Sequence, residues 1–144
     1  MIIISDASAL IALLDCGEIA ILNLAFTEVV IPNEVNEEVF NTGRRRAKPK
    51  FIKVRTIEGP ILKDFNRLRK RLDPGESEAV ALAISTNLRL IIDEEAGRLI
   101  CKSEGVVAIA LADVIVELRD SGKITAKQYD KLRSALMREG VYCP

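Results

Sequence analysis

Met1-Ile2-Ile3-Ile4-Ser5-Asp6 is a run of β-branched residues that ends on a carboxylate. An unbroken apolar run of this length reads as a strand buried on both faces, because a half-solvated strand alternates apolar with polar residues. Similar runs recur at Val29-Val30-Ile31, closed by Pro32, at residues 88–92, closed by Asp93, and at 106–109; residues 51–57 read as an edge strand or extended segment. Between them lie helical stretches at 9–14 (stopped by Gly17), 19–26, 32–41, 61–72, 73–86, 93–103, 112–120 and 125–139. Strands and helices in alternation predict a three-layer α/β/α fold with a short, mainly parallel central sheet. The 144 residues fit one domain, 1–144, with no repeat or linker to divide them.

Composition narrows the chemistry. The chain has no histidine, which excludes Ser-His-Asp and Cys-His catalysis and any His-containing zinc site. The 21 basic and 21 acidic residues cancel, but they are segregated. Residues 1–43 carry seven acids and no Lys or Arg, whereas 44–71 carry twelve bases and two acids. Cys16, Cys101 and Cys143 form no CxxC pair and read as free thiols of a cytoplasmic protein. Asp6, Asp15 and Asn23 interrupt the apolar stretches of the first 26 residues, so a membrane span is not expected there, nor is a signal peptide.

Parallel sheets bind ligands beyond the carboxyl ends of their strands. Asp6 and Asp93 each follow a strand, so both are expected at one sheet edge; each also reads as the N-cap of the helix after it. Asp73-Pro74-Gly75-Glu76 reads as a capping box with proline at the first helical position. At about 100° per residue, Glu76 shares a stripe with Ala79, Val80 and Ala83, while Glu78 points toward solvent. On the helix after Pro32, Glu38 lies beside the Val35/Val39 stripe and Glu37 faces water. Carboxylates placed inward need a partner or a cation. Mg²⁺ or Mn²⁺ suits oxygen-only donors and needs neither His nor Cys. Ser8 can hydrogen-bond a carboxylate or simply start a helix.

In order along the chain, Ile3-Ile4-Ser5-Asp6-Ala7-Ser8-Ala9-Leu10-Ile11, Val30-Ile31-Pro32 with Val35-Asn36-Glu37-Glu38-Val39, Leu72-Asp73-Pro74-Gly75-Glu76-Ser77-Glu78-Ala79 and Leu90-Ile91-Ile92-Asp93-Glu94-Glu95-Ala96-Gly97-Arg98 resemble the PIN-domain family of metal-dependent ribonucleases. That family includes VapC-type toxins of toxin–antitoxin pairs, and the sequence more closely resembles a compact prokaryotic PIN-like branch. The resemblance implies an RNA-hydrolysing site in which Asp6, Glu38, Glu76 and Asp93 are both catalytic and metal-holding, with Mg²⁺ or Mn²⁺ as cofactor. Glu76 stands where many members have Asp, and Glu95 substitutes for a further acidic position or serves the helix dipole.

The basic middle fits a phosphate backbone, with Arg44, Arg45, Arg46, Lys48, Lys50, Arg67 and Lys70 as candidates and Arg98 beside them. The same residues also read as a solvated surface or a dock for an acidic antitoxin segment. Arg98 has a further option in pairing with Asp93 or Glu94. The expected partners are single-stranded RNA, an antitoxin protein and a second copy of the chain in a homodimer. Two other functions compete. One is a non-catalytic PIN-like module that binds RNA or protein. The other is a phosphatase or receiver-like α/β domain, although Asp6-Ala7-Ser8 lacks the second aspartate that a haloacid-dehalogenase-like phosphatase uses.

Overall fold

The computed structural model describes residues 1–42 and 46–144; Arg44 and Arg45 lie outside the described residues. Five parallel strands form the central sheet: β1 (Ile2–Ser5), β2 (Glu28–Ile31), β3 (Ile52–Val54), β4 (Leu90–Ile91) and β5 (Ala108–Ile109), in the order β3-β2-β1-β4-β5. The apolar runs build these strands because helices cover both sheet faces. Ile3, Val29, Ile31 and Ile91 join one core, and Ile4, Val30, Leu90 and Ile92 join the other. Side chains alternate faces along a strand, so neighbours such as Ile3 and Ile4 serve opposite layers.

The first layer contains α1 (Ala7–Asp15), α2 (Leu22–Ala25), α7 (Leu111–Asp120) and α8 (Ala126–Arg138), with Leu10, Leu13, Ile115 and Leu136 fully buried. The second contains α4 (Ile61–Leu68), α5 (Pro74–Thr86) and α6 (Glu95–Glu104). Helix α3 (Asn33–Asn36) leads from β2 and continues as a wider π-helical turn over Glu37–Asn41. It touches both α5 and the first core.

Local sequence sets the helix ends. Asp6 accepts the Ala9 N–H at 3.1 Å and starts α1. Asp73 accepts the Glu76 N–H at 2.8 Å and starts α5, with Pro74 in the first turn. Thr125 and Gln128 bond reciprocally at the start of α8. Gly105 closes α6 at φ 73, a left-handed conformation that suits glycine.

The predicted elements are present with shorter bounds in several places. Residues 19–26 do not form one helix: a 3₁₀ turn over Ile19–Ile21 precedes the four-residue α2. The strand predicted at 88–92 pairs only over Leu90–Ile91, and the helix predicted at 61–72 ends at Leu68. The segment at 32–41 is α-helical for only its first turn. In its π-helical part, neighbouring Val39 and Phe40 are both buried. A uniform 100° wheel does not describe a turn with that wider hydrogen-bond period.

Candidate active site

Strand order reverses at β1, which sends the chain to β2 on one side and has β4 on the other. In parallel sheets the crevice at such a point receives ligands. Register places Ser5 opposite Ile91, so Asp6 and Asp93 leave adjacent strands at the same edge, as the sequence predicts. Just beyond it, a cleft of about 40 Å³ is lined by Asp6, Ser8, Glu38, Asp73, Glu76 and Glu94. That volume exceeds the roughly 10–15 Å³ needed to hold one water-sized guest.

Asp6 is 4% exposed, and burial pushes its carboxyl up to about 7. The Ala9 N–H opposes the shift, whereas the charges of Asp93, Glu38 and Glu94 reinforce it. Glu76 is pushed up to about 8 by burial first, then by Glu94 and Asp73. Burial also raises Glu38, with Asp73 and Glu34 adding repulsion. Asp6 at the start of α1, Glu38 on the π-helical turn after α3 and Glu76 on α5 therefore all resist ionisation.

Glycines allow the surrounding helices to approach. A Cβ at Gly75 would lie 3.5 Å from Glu38 Oε1 and 3.6 Å from Val35 Cγ2, so α3 packs directly on the first turn of α5. A Cβ at Gly97 would lie 2.5 Å from Ile92 Cδ1 and 3.4 Å from Glu76 Oε2. Gly97 thus makes room both for the end of β4 and for the Glu76 carboxylate.

Asp6, Glu38 and Glu76 come together with Ser8 around this cleft. Asp93 lies close enough to act on Asp6, but it lines a different, larger and more open hollow with Glu95 and Arg98. It does not cap α6, whose preceding residue, Glu94, makes no side-chain cap. The Leu111 N–H instead donates to Asp93 Oδ1 at 2.9 Å, so the carboxylate caps α7 across the sheet edge. Burial raises Asp93, while the Leu111 N–H and Arg98 hold it down. Glu95 is exposed in the first turn of α6.

Asp73 and Glu94 are the acidic cleft residues missing from the predicted set. Asp73 had a complete explanation as a helix cap, and that role is present. The second half of the predicted capping box is not realised: Glu76 faces the cleft instead of returning to the Asp73 N–H. Glu78 corrects the helical wheel. It is 8% exposed and accepts the Glu34 N–H at 2.8 Å. The side of α5 assigned to solvent is covered by α3, a tertiary contact that the periodicity of one helix does not reveal.

The basic candidates divide into engaged and exposed side chains. Arg46 pairs with Asp15 at 2.6 Å and is largely covered. Arg67 bridges Asp64 at 2.9 Å and Glu104. Arg98 donates to the Ile92 carbonyl at 3.2 Å and does not form the Asp93 or Glu94 pair that was one of its options. Lys48 is exposed and donates to Asn36 Oδ1 at 2.7 Å beside α3, while Lys50 and Lys70 are exposed.

Residues 2–144 match the PIN-domain family, and the chain belongs to that family. PIN domains are generally nucleases and typically use divalent metal ions. No curated protein matches the chain closely enough to name a relative. Among the described residues, no helix is long and apolar enough to cross a membrane.

The cleft's donors are carboxylate oxygens, with the proton affinity of Asp6, Glu38 and Glu76 raised, the chemistry that a hard divalent cation satisfies. The fit is one of donor type. Among the described residues, no three His, Cys, Asp or Glu side chains converge closely enough to form a ready-made metal cage.

Proposed function

We propose that this chain is a metal-dependent endoribonuclease that hydrolyses RNA phosphodiester bonds, with residues 1–144 acting as one PIN-like unit. The observation that carries the reading is the collection of Asp6, Glu38 and Glu76 at the β1/β4 switch point, in a small cleft where burial and the charges of neighbouring acids disfavour their ionisation. On this reading Asp6, Glu38, Glu76 and Asp93 hold Mg²⁺ or Mn²⁺, with Asp73 and Glu94 as additional carboxylates at the rim. Such an ion supplies Lewis acidity for a phosphoryl oxygen and lowers the pKa of water.

The chain's own groups set the stage for that chemistry. Ala9 N–H fixes Asp6 Oδ1, so rotation of the carboxylate is restricted. Leu111 N–H fixes Asp93 Oδ1 in the same way. Burial and the neighbouring Glu94 and Asp73 favour the protonated form of Glu76 when no cation is present, which limits repulsion inside the cleft. Lys48, Lys50 and Lys70 offer exposed positive charge to an RNA backbone. The engaged Arg46 and Arg67 serve the fold first. The resemblance to VapC-type toxins extends the proposal to a cytoplasmic toxin, active as a homodimer on single-stranded RNA and restrained by an antitoxin protein.

The test is cleavage of single-stranded RNA with Mn²⁺, with EDTA and by Asp6→Asn. Cleavage only by the wild-type protein with metal is expected; activity that survives both EDTA and the substitution refutes the mechanism. The spread of the carboxylates favours a second reading, a non-catalytic PIN-like module that binds RNA or protein. Salt-sensitive RNA binding without Mn²⁺ uptake, measured by calorimetry, identifies that case.

A further inference from the structure

We infer that Glu78 is a positioning residue for Glu38, acting through the backbone of α3; this rests on the metal-site reading of Glu38. Three observations carry the inference. First, Glu78 is a carboxylate with 8% exposure on α5, and its Oε1 accepts the Glu34 N–H at 2.8 Å. Second, the residue before α3 is Pro32, whose side chain makes no cap, so a free N–H of the first turn receives its acceptor from another helix. Third, Val35 packs against Gly75 one turn before Glu38, and Glu38 Oε1 faces that same glycine.

Glu34 and Glu38 are four residues apart on one short helical segment. Glu78 grips that segment at its first turn, and Gly75 meets it further on. Glu76, two residues before Glu78 on α5, enters the cleft from the same helix. One element therefore carries a proposed metal ligand and also docks the segment bearing another. Glu78 itself is not among the cleft-lining side chains. Without its grip, α3 retains the Gly75 contact but loses the bond that sets its position along α5, and Glu38 moves relative to Glu76.

The experiment makes Glu78→Ala and Glu78→Gln, each in the wild-type and Glu38→Gln backgrounds. Amide hydrogen exchange reads the Glu34 N–H, and calorimetry reads Mn²⁺ affinity. Glu78→Ala is expected to expose the Glu34 amide and weaken Mn²⁺ binding by about tenfold, within the range for groups that orient ligands. Glu78→Gln keeps a carbonyl acceptor and is expected to preserve both. In the Glu38→Gln background, Glu78→Ala should cause no further loss of Mn²⁺ affinity, although its effect on the amide persists.

An equal Mn²⁺ loss in both backgrounds overturns the inference, as does unchanged affinity when the amide is exposed. A Glu34 amide indifferent to Glu78→Ala overturns the positioning step alone. Failure of the wild-type protein to take up Mn²⁺ overturns the metal reading and the inference with it, whatever the amide reports. If Glu78→Ala does not fold, Glu78→Leu fills the volume without an acceptor and replaces it in every comparison.

Discussion

Asp6→Asn should make the metal-free protein more stable, and the gain should grow with pH. In the fold the carboxyl of Asp6 titrates at about 7, against 3.8 for the ordinary group. Between these values the folded state holds a proton that the unfolded state has released. The stability associated with that proton is complete below pH 3.8 and is lost as pH rises to about 7. At about 1.4 kcal/mol per unit, the ionised unfolded state gains roughly 1.5 kcal/mol on the fold by pH 5 and roughly 4 kcal/mol by pH 8. Asparagine removes the titration while keeping an oxygen for the Ala9 N–H, and it caps a helix as well as aspartate does. For a chain of this size, these energies correspond to a Tm increase of about 4 °C at pH 5 and about 10 °C at pH 8. Thermal melts in EDTA at both pH values measure the difference. A lower Tm for the variant at pH 8, or an increase independent of pH, refutes the argument that the buried charge strains the fold. On the proposed reading, added Mn²⁺ narrows the gap by stabilising only the protein that retains its ligand.

Asp93→Ala should lower stability by about 1–2 kcal/mol through loss of the α7 cap, whereas Asp93→Asn should stay close to wild type in urea unfolding. Gly97→Ala should cost about 1–3 kcal/mol because its Cβ meets Ile92 Cδ1, and Ile92→Val should recover part of that loss; unfolding of the two single variants and the double variant measures the coupling. Arg46→Ala should lower Tm by breaking the Asp15 pair, while Lys70→Ala should leave Tm within about 1 °C and weaken RNA binding most at low salt. A salt titration of RNA binding, run beside the melts, separates these two roles.

The layers and strand positions were legible because both sheet faces are covered, so each strand appears as an unbroken apolar run. Asp6, Glu38 and Glu76 were legible for related reasons: one follows a strand, and two lie beside an apolar stripe. Asp73 and Glu94 were less visible because a helix-start carboxylate already has a local explanation. Asp93 had the expected edge position but the wrong bonding partner, since the sequence does not say which helix N-terminus swings across to it. Glu78 failed for the opposite reason. The wheel describes α5 against one core, whereas that helix is enclosed by the sheet, α3, α4 and α6. Arg46 is engaged by Asp15, 31 positions away, and Arg67 by Glu104, 37 positions away, as well as by its helix neighbour Asp64; the two distant pairs lie beyond any local pattern.

The three consecutive isoleucines of β1 carry a further consequence. Because both sheet faces are apolar, sliding this strand by one residue would put one isoleucine in the place of another, exposed Ile2 for buried Ile3 and Ile3 for Ile4, so hydrophobicity is a weak guide to its register. Sharper constraint comes from the strand's two ends: Met1 O accepts the Thr27 N–H at 3.0 Å, and Asp6 must reach Ala9. Asp6 is therefore an end-stop for the central strand as well as a wall of the cleft. Alanine at this position would remove charge and end-stop together, and its phenotype would confuse chemistry with a misaligned sheet; asparagine separates the two.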